Sequence, residues 1–332
     1  MSQKTVALFV GGWSAERDVS LKKGRAVEKA LKDNGYNVRV IDVTRDVQAL
    51  IRNLTPRPDV VFNNLHGTGG EDGVIQGLLE ILQIPYTHSS VAASAVGMNK
   101  PLAKSVAASV GVPSAEGVVV TRAQALSGQV MSPPYVIKPP CEGSSVGVTI
   151  IHNLEQQSAL AETLTPADTD HVLVERYIPG KELTVAVLDG KAQAVTEIIS
   201  HTQFFDYEAK YVDTTTEYVM PAQVPAIVTR AAMDYAARVY TALGCTGLAR
   251  CDFRYDDSQA DATGLYFLEI NTQPGLTPDS IGPSQVVYNG MSFNDLCAHL
   301  VETARCHGGG DASVTTTAEA KAHNPAVAPY AA

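Results

Sequence analysis

Leu248-Ala249-Arg250-Cys251-Asp252-Phe253-Arg254-Tyr255 and Leu265-Tyr266-Phe267-Leu268-Glu269-Ile270-Asn271 are two short runs in which polar residues recur at every second position. A strand turns alternate side chains to opposite faces, so Arg250 and Asp252 share one face, as do Glu269 and Asn271. The intervening residues, Asp256 to Gly264, are rich in turn formers and predict an antiparallel hairpin. Two carboxylates, an amide oxygen and a guanidinium then converge on one patch. Hard-oxygen donors of this kind suit Mg²⁺ bound together with phosphate. An internal ion pair, Arg250 with Asp252 or with Glu269, is the purely structural alternative. Thr272-Gln273-Pro274-Gly275 follows and adds a tight, polar turn to the same patch.

Outward from this hairpin, the pattern predicts a helix over Ala226–Leu243 before it and a closing helix after it. In the closing helix, Ser292 and Asp295 suit an N-terminal cap, and Phe293, Leu296, Leu300, Val301 and Ala304 fall on one face. A strand is expected at Leu183–Leu188. The polar, aromatic stretch His201–Pro221 has little periodicity and reads as a lid or a disordered loop. The middle of the chain predicts an α+β module: a helix over Met98–Gly111 and strands at Val118–Val120, Val136–Lys138, Val146–Ile150 and Val172–Glu175. The first third alternates strand and helix. Strands are expected at Val6–Val10, Val38–Val43, Asp59–Asn63 and Ile84–Thr87, with a helix ending at Asn34-Gly35. That alternation predicts a parallel sheet with helices on its faces.

Three polar turns carry further chemistry. Glu142-Gly143-Ser144-Ser145-Val146-Gly147 follows a strand ending in Lys138, and its successive N–H groups can cradle an anion. It is not a Walker loop, and taken alone such a segment is equally a plain turn. His66-Gly67-Thr68-Gly69-Gly70-Glu71-Asp72-Gly73 fails the dinucleotide fingerprint, because Asp72 stands where the third glycine is required. It still suits a strand-to-helix turn facing an anion. Gly11 to Arg17 is a similar turn and presents Glu16.

The chain has 332 residues, of which 45% are apolar and 18% charged, enough for a real core and about two or three domains. Its net charge of −10 argues against a general nucleic-acid binder, but not against a local anion site. Five cysteines without a C-x-x-C pair predict reduced thiols rather than a disulfide framework or a structural zinc. There is no signal-peptide pattern and no apolar run of membrane-spanning length, which predicts a cytoplasmic protein. Residues 307–332 contain no Leu, Ile, Met or Phe and read as a disordered tail.

Taken together, Gly11 to Arg17, Leu65 to Gly73, Glu142 to Gly147, Tyr207-Glu208-Ala209-Lys210-Tyr211 and Glu269 to Gly275 resemble the D-alanine–D-alanine ligase family of the ATP-grasp superfamily. The match runs over about residues 4–304. It implies a three-domain ATP-grasp fold of mixed α/β and α+β type: an N-terminal parallel-sheet domain (1–88), a central domain (89–178) and a C-terminal domain (179–306), followed by the tail. It implies ATP, two Mg²⁺ (with Mn²⁺ as a substitute), D-alanine as substrate, a homodimer and a place in peptidoglycan precursor synthesis. No nucleic-acid or membrane partner is implied.

Carried over residue by residue, the resemblance gives Glu16 the ammonium of the first D-alanine. Ser144 and Tyr211 form a hydrogen-bonded set with Glu16. Lys100, Lys138 and Lys210 meet ATP phosphates. Glu175, Arg176 and Ile178 border adenine, and Glu182 binds ribose. Asp252, Glu269 and Asn271 hold the metal ions, while Arg250 and the Gly275 N–H stabilise an oxyanion. Ser280, with Lys210, takes the second substrate's carboxylate, and His66 lies near the substrates. Cys141 stands where many relatives carry a basic residue, and Phe205 where some carry tyrosine. A D-alanine–D-lactate ligase and a regulatory nucleotide-binding module of the same fold are the alternative readings.

Overall fold

The computed structural model describes residues 3–143, 147–159, 170–200 and 216–308. Ser144, Phe205, Lys210, Tyr211 and most of the expected lid lie outside these residues, as do 309–332 of the expected tail. Among the described residues the elements run β1 (Thr5–Gly11), α1 (Arg17–Asp33), β2 (Asn37–Val43), α2 (Val47–Asn53), β3 (Val60–Asn63), α3 (Val74–Leu82), α4 (Val91–Met98) and α5 (Lys100–Ser109). Next come β4 (Gly117–Thr121), α6 (Arg122–Leu126), β5 (Tyr135–Lys138), β6 (Thr149–Ile151), α7 (Leu154–Ser158), β7 (His171–Arg176), β8 (Lys181–Leu188), β9 (Lys191–Ile199) and β10 (Glu217–Val219). The chain closes with α8 (Ala226–Leu243), β11 (Leu248–Tyr255), β12 (Leu265–Asn271), α9 (Ile281–Tyr288) and α10 (Phe293–Glu302).

These strands form three sheets. The first is parallel, in the order β2-β1-β3. The central strand β1 and β3 are buried on both faces because both faces are covered, whereas edge strand β2 carries Asn37, Arg39 and Asp42. Val6 and Leu8 pack with Val27 and Leu31 of α1, while Ala7 and Phe9 pack with Leu50, Ile75 and Leu79 of α2 and α3. The second sheet, β4-β7-β5-β6, is antiparallel and encloses Tyr135, Ile137 and Val174.

The largest sheet, β10-β9-β8-β11-β12, is antiparallel throughout and positions the site. Period-two alternation divides the labour of its two faces. Ala249, Cys251, Phe253 and Tyr255 of β11 turn into a core shared with Val228, Ala232, Ala236 and Val239 of α8 and with Ala103 and Ala107 of α5. Leu248, Arg250, Asp252 and Arg254 alternate with them, so the polar residues line the opposite face. At its end, that face meets the first sheet through Ala186, Leu188 and Leu248 beside Leu296 and Leu300 of α10.

Three expected elements are corrected. Ile84–Thr87 is not a fourth strand: Tyr86 forms only single bridges, to Val61 and to Arg305. The helix expected over Met98–Gly111 is α5, Lys100–Ser109, which starts after Asn99, whose side chain caps it by accepting from the Leu102 N–H at 3.1 Å; a separate helix, α4, ends just before it at Met98. Of the strand expected at Val146–Ile150, Val146 lies outside the described residues, and the strand found runs over Thr149–Ile151. At the far end, His307 and Gly308 are held by Glu80, which accepts their N–H groups at 2.7 and 2.9 Å. No helix among the described residues is long and apolar enough to cross a membrane.

Candidate active site

The predicted antiparallel hairpin forms. Arg250 lies opposite Asn271 and Asp252 opposite Glu269, with a bulge just after Asp252. The guanidinium of Arg250 grips both oxygens of Asp252, each at 2.9 Å. Thr184, across from Asp252 on β8, donates its hydroxyl to the same carboxylate at 2.5 Å. Lys100, at the first position of α5, reaches Glu269 at 3.1 Å and donates to the Glu142 carbonyl at 2.6 Å. The structural alternative of an Arg250–Asp252 ion pair is therefore realised, and it stands inside the wider cluster rather than replacing it.

This cluster floors a cleft of about 330 Å³ between the two antiparallel sheets. Lys100, Lys138, Glu175, Arg176, Ile178, Glu182, Asp252 and Glu269 all line it. Glu175 is 2% exposed, and its side chain pairs with both Lys104 and Lys138. Burial opposes ionisation of Glu175, but the two ammonium groups outweigh it and hold the carboxyl below the usual range. Burial, then the charge of Lys138, pulls the Lys104 ammonium down to about 8. The Arg176 guanidinium turns to exposed Glu116 at 2.9 Å. Arg254 donates to the carbonyls of Ile178 and Gly180 at 3.1 and 2.8 Å, and so fixes the crossover between the sheets.

A second group of polar residues gathers where the loops after β1 and β3 meet. Ser14 donates to the His66 carbonyl at 2.6 Å and accepts from the Glu16 N–H at 3.1 Å, tying the first two loops together. Gly67 has φ +69°, and a Cβ there would stand 2.7 Å from Glu16 Oε2, so only glycine suits this position. The same Glu16 oxygen lies 3.6 Å from the Cβ position of Gly143, at the start of the glycine-rich loop. Glu16 thus bridges the first loops and the central sheet. His66 and Glu71 approach to 3.3 Å without making a hydrogen bond. Burial, then the charge of Lys23, pulls His66 down to about 4, while burial pushes Glu71 up to about 7. Between about 4 and about 7 both are therefore neutral, so the two do not form an ion pair there.

The turn after β12 is anchored to the loop after β3. Gln273 accepts from Asn63 Nδ2 at 2.8 Å and donates to the Leu65 carbonyl at 2.6 Å. Asn271 Oδ1 accepts from the Gln273 N–H at 2.9 Å. Ser280, the N-cap of α9, shares a 2.6 Å contact with the Thr277 hydroxyl.

The structure brings Lys100, Lys138, Glu175, Arg176, Ile178, Glu182, Asp252 and Glu269 to the cleft, sets Arg250 and Asn271 on the same hairpin, and gathers Glu16, Gly275 and Ser280 around Lys23, with His66 beside Glu71. Ser144, Lys210 and Tyr211 lie outside the described residues. Sequence reasoning missed Lys23, Glu71, Lys104 and Thr184, which arrive through tertiary packing. Helical spacing held one signal: Glu16, Ser20 and Lys23 fall on one face of α1.

Among the described residues no group of three His, Cys, Asp or Glu side chains is gathered for a metal. The donor set on the hairpin is instead two carboxylates and one amide oxygen. Each carboxylate keeps acceptor lone pairs beyond those used by Arg250, Thr184 and Lys100. Such all-oxygen sets suit Mg²⁺, which keeps several waters and shares its shell with phosphate.

Family models of the D-ala D-ala ligase N-terminus and C-terminus match residues 47–89 and 106–302. The chain is 49% identical to a D-alanine–D-alanine ligase of Parvibaculum lavamentivorans, over 92% of this chain and 99% of that one. It is 47% identical to one of Cereibacter sphaeroides, over 91% and 96%. The fold is also similar to the crystal structure of the D-alanine–D-alanine ligase from Bacillus anthracis complexed with ATP, with a TM-score of 0.75 and 29% identity over 91% of this chain and 97% of that one.

Proposed function

The chain belongs to the D-alanine–D-alanine ligase family, and we infer that it joins two D-alanine molecules at the expense of ATP, with the following division of labour. A carboxylate is a poor electrophile. One oxygen of the first D-alanine therefore attacks the γ-phosphorus of ATP, the bond to the β-phosphate breaks and ADP leaves. The amine of the second D-alanine, once deprotonated, attacks the carbonyl carbon of the acyl phosphate. The C–O bond to phosphate then breaks, giving D-alanyl-D-alanine and inorganic phosphate.

Phosphoryl transfer is mostly positioning and charge stabilisation. Lys100 and Lys138, in the cleft between the antiparallel sheets, are the cations for the ATP phosphates, with Lys210. Glu175 holds Lys138 in place from below. The 175–178 segment borders the adenine and Glu182 the ribose. Glu16 takes the ammonium of the first D-alanine, which turns its carboxylate toward the cleft, and Ser144 and Tyr211 complete that hydrogen-bonded set. Arg250 and the Gly275 N–H receive the negative charge that develops on the carbonyl oxygen. Ser280, with Lys210, holds the carboxylate of the second substrate. Asp252, Glu269 and Asn271 would hold two Mg²⁺, or Mn²⁺ in their place. Metal bound there would offset the charge of the phosphate oxygens.

The observation that carries this reading is the Asp252–Glu269 register, with Lys100 on one carboxylate and Arg250 on the other. It supplies oxygen donors for a metal and cations for phosphate within one cleft. The reaction belongs in the cytoplasm, where ATP is held and thiols stay reduced; all five cysteines are free. The test is phosphate release with ATP, Mg²⁺ and D-alanine, with the dipeptide identified by mass spectrometry. One dipeptide per phosphate is expected, and folded protein without D-alanine-dependent release overturns the reading.

A further inference from the structure

Lys23 lies on α1, seven residues beyond Glu16. Two turns of helix bring positions seven apart back to nearly the same face, so Lys23 lies on the face of α1 that Glu16 caps. The register is locked by its neighbours. Ser20 donates to the Asn64 carbonyl at 2.6 Å, and Gly24 packs directly on Val10. Lys22, the preceding residue, faces solvent, whereas Lys23 is half-buried.

The Lys23 ammonium ends over the turn that follows β12. A Cβ built on Gly275 would stand 2.3 Å from Lys23 Nζ and 3.5 Å from Ser280 Oγ. A cation and a hydroxyl thus flank a single point above the Gly275 backbone. The charges around Lys23 are Glu71, Glu16, Arg250 and Asp279. Three of the four are acidic, and the fourth, Arg250, is gripping Asp252. The second D-alanine reacts as a neutral amine and so carries a net negative charge on its carboxylate. With the Glu16 and Asp279 carboxylates nearby, that anion is better held by a second cation beside Ser280, in addition to Lys210.

We propose that Lys23 is a substrate-binding residue of the ligation reaction, its ammonium pairing with the carboxylate of the second D-alanine alongside Ser280. This rests on the ligase reading and adds a specificity element to it: the pocket selects nucleophiles that end in a carboxylate. Lys23 makes no covalent bond and transfers no proton; it sets where the incoming amine stands. Burial weakens its hold on the proton, against the opposing pull of Glu71 and Glu16, and an incoming carboxylate strengthens that hold.

The experiment is steady-state kinetics of the parent, Lys23→Met and Lys23→Arg, with the half-saturation constants of the two D-alanine sites resolved. D-alaninamide, which lacks the carboxylate charge, is the alternative nucleophile. Lys23→Met is expected to raise the second constant about tenfold or more, the scale of a charge-assisted hydrogen bond. The ATP constant should change little, and the preference for D-alanine over D-alaninamide should narrow. Lys23→Arg, which keeps the charge, should restore most of the affinity. An active parent whose second constant is unmoved in Lys23→Met overturns this role alone. So does a loss confined to kcat with a displaced pH profile, which would mark Lys23 as a proton-transfer group. A folded parent with no D-alanine-dependent turnover overturns both this role and the ligase reading.

Discussion

Asp252 and Glu269 are direct cross-strand partners on adjacent antiparallel strands. Two carboxylates so placed repel each other unless cations intervene. Here Arg250 clamps one and Lys100 reaches the other. Such an arrangement costs stability and is retained for what it binds. Replacing Glu269 by Gln removes one negative charge while keeping shape. Turnover should fall by ~100-fold or more, as for loss of one electrostatic group in a preorganised site. Thermal stability should change by only a few degrees. Near-normal turnover would place the metal elsewhere.

Glu175 is the counter-ion for two half-caged lysines. Glu175→Ala leaves Lys104 and Lys138 side by side, buried and without their carboxylate. The cost should be about 3–5 kcal/mol, typical of a broken buried pair. Equilibrium unfolding in urea measures it, and a loss below about 1 kcal/mol would show that the lysines find other partners.

Glu71 gives a pH signature. Its folded pKa of about 7 lies above the ordinary carboxylate value of 4.5. Between those values the unfolded chain has released the proton and the folded chain has kept it. Its contribution to stability is therefore present below the unfolded value and is lost as pH rises through about 7. Glu71→Gln cannot ionise, so its melting temperature should improve relative to the parent between about pH 5 and about pH 8. The free-energy difference is on the order of 3 kcal/mol. A constant gap across that window would show that Glu71 ionises freely. His66 acts in the opposite sense: its folded value of about 4 lies below 6.5, so its contribution is present above 6.5 and is lost as pH falls.

Asn63 and Gln273 tie the parallel sheet to the turn after β12 through a buried 2.8 Å bond. Asn63→Ala leaves the Gln273 carbonyl oxygen without that donor and should cost about 1–3 kcal/mol. Because Gln273 also fixes Asn271 and precedes Gly275, kcat should fall as well. In a double-mutant cycle with Gln273→Ala the two effects should be strongly non-additive. Simple additivity would mean the two residues act independently.

The parts of this molecule legible in its sequence are those governed by local periodicity. The strands Leu248–Tyr255 and Leu265–Asn271, the hairpin between them and the helix Ala226–Leu243 all follow from patterns within one element. So does the Ser292 cap, which accepts the Asp295 N–H at 3.1 Å. Strand β9 was missed although it follows Asp189-Gly190, a strong hairpin signal realised here with φ +47° and +82°. The site residues that share a strand were legible for the same reason. Lys104 with Glu175, Thr184 with Asp252, and Lys23 over Gly275 were not, because each pair is separated by tens to hundreds of residues and meets only when sheets and helices pack.

The most direct test of the ligase chemistry follows one oxygen atom. D-alanine labelled with oxygen-18 in its carboxylate is turned over with ATP and Mg²⁺, and the released phosphate is weighed by mass spectrometry. If the carboxylate is phosphorylated before the amine attacks, each phosphate carries away one labelled oxygen. Phosphate released with no label, while the dipeptide forms, would contradict the acyl phosphate.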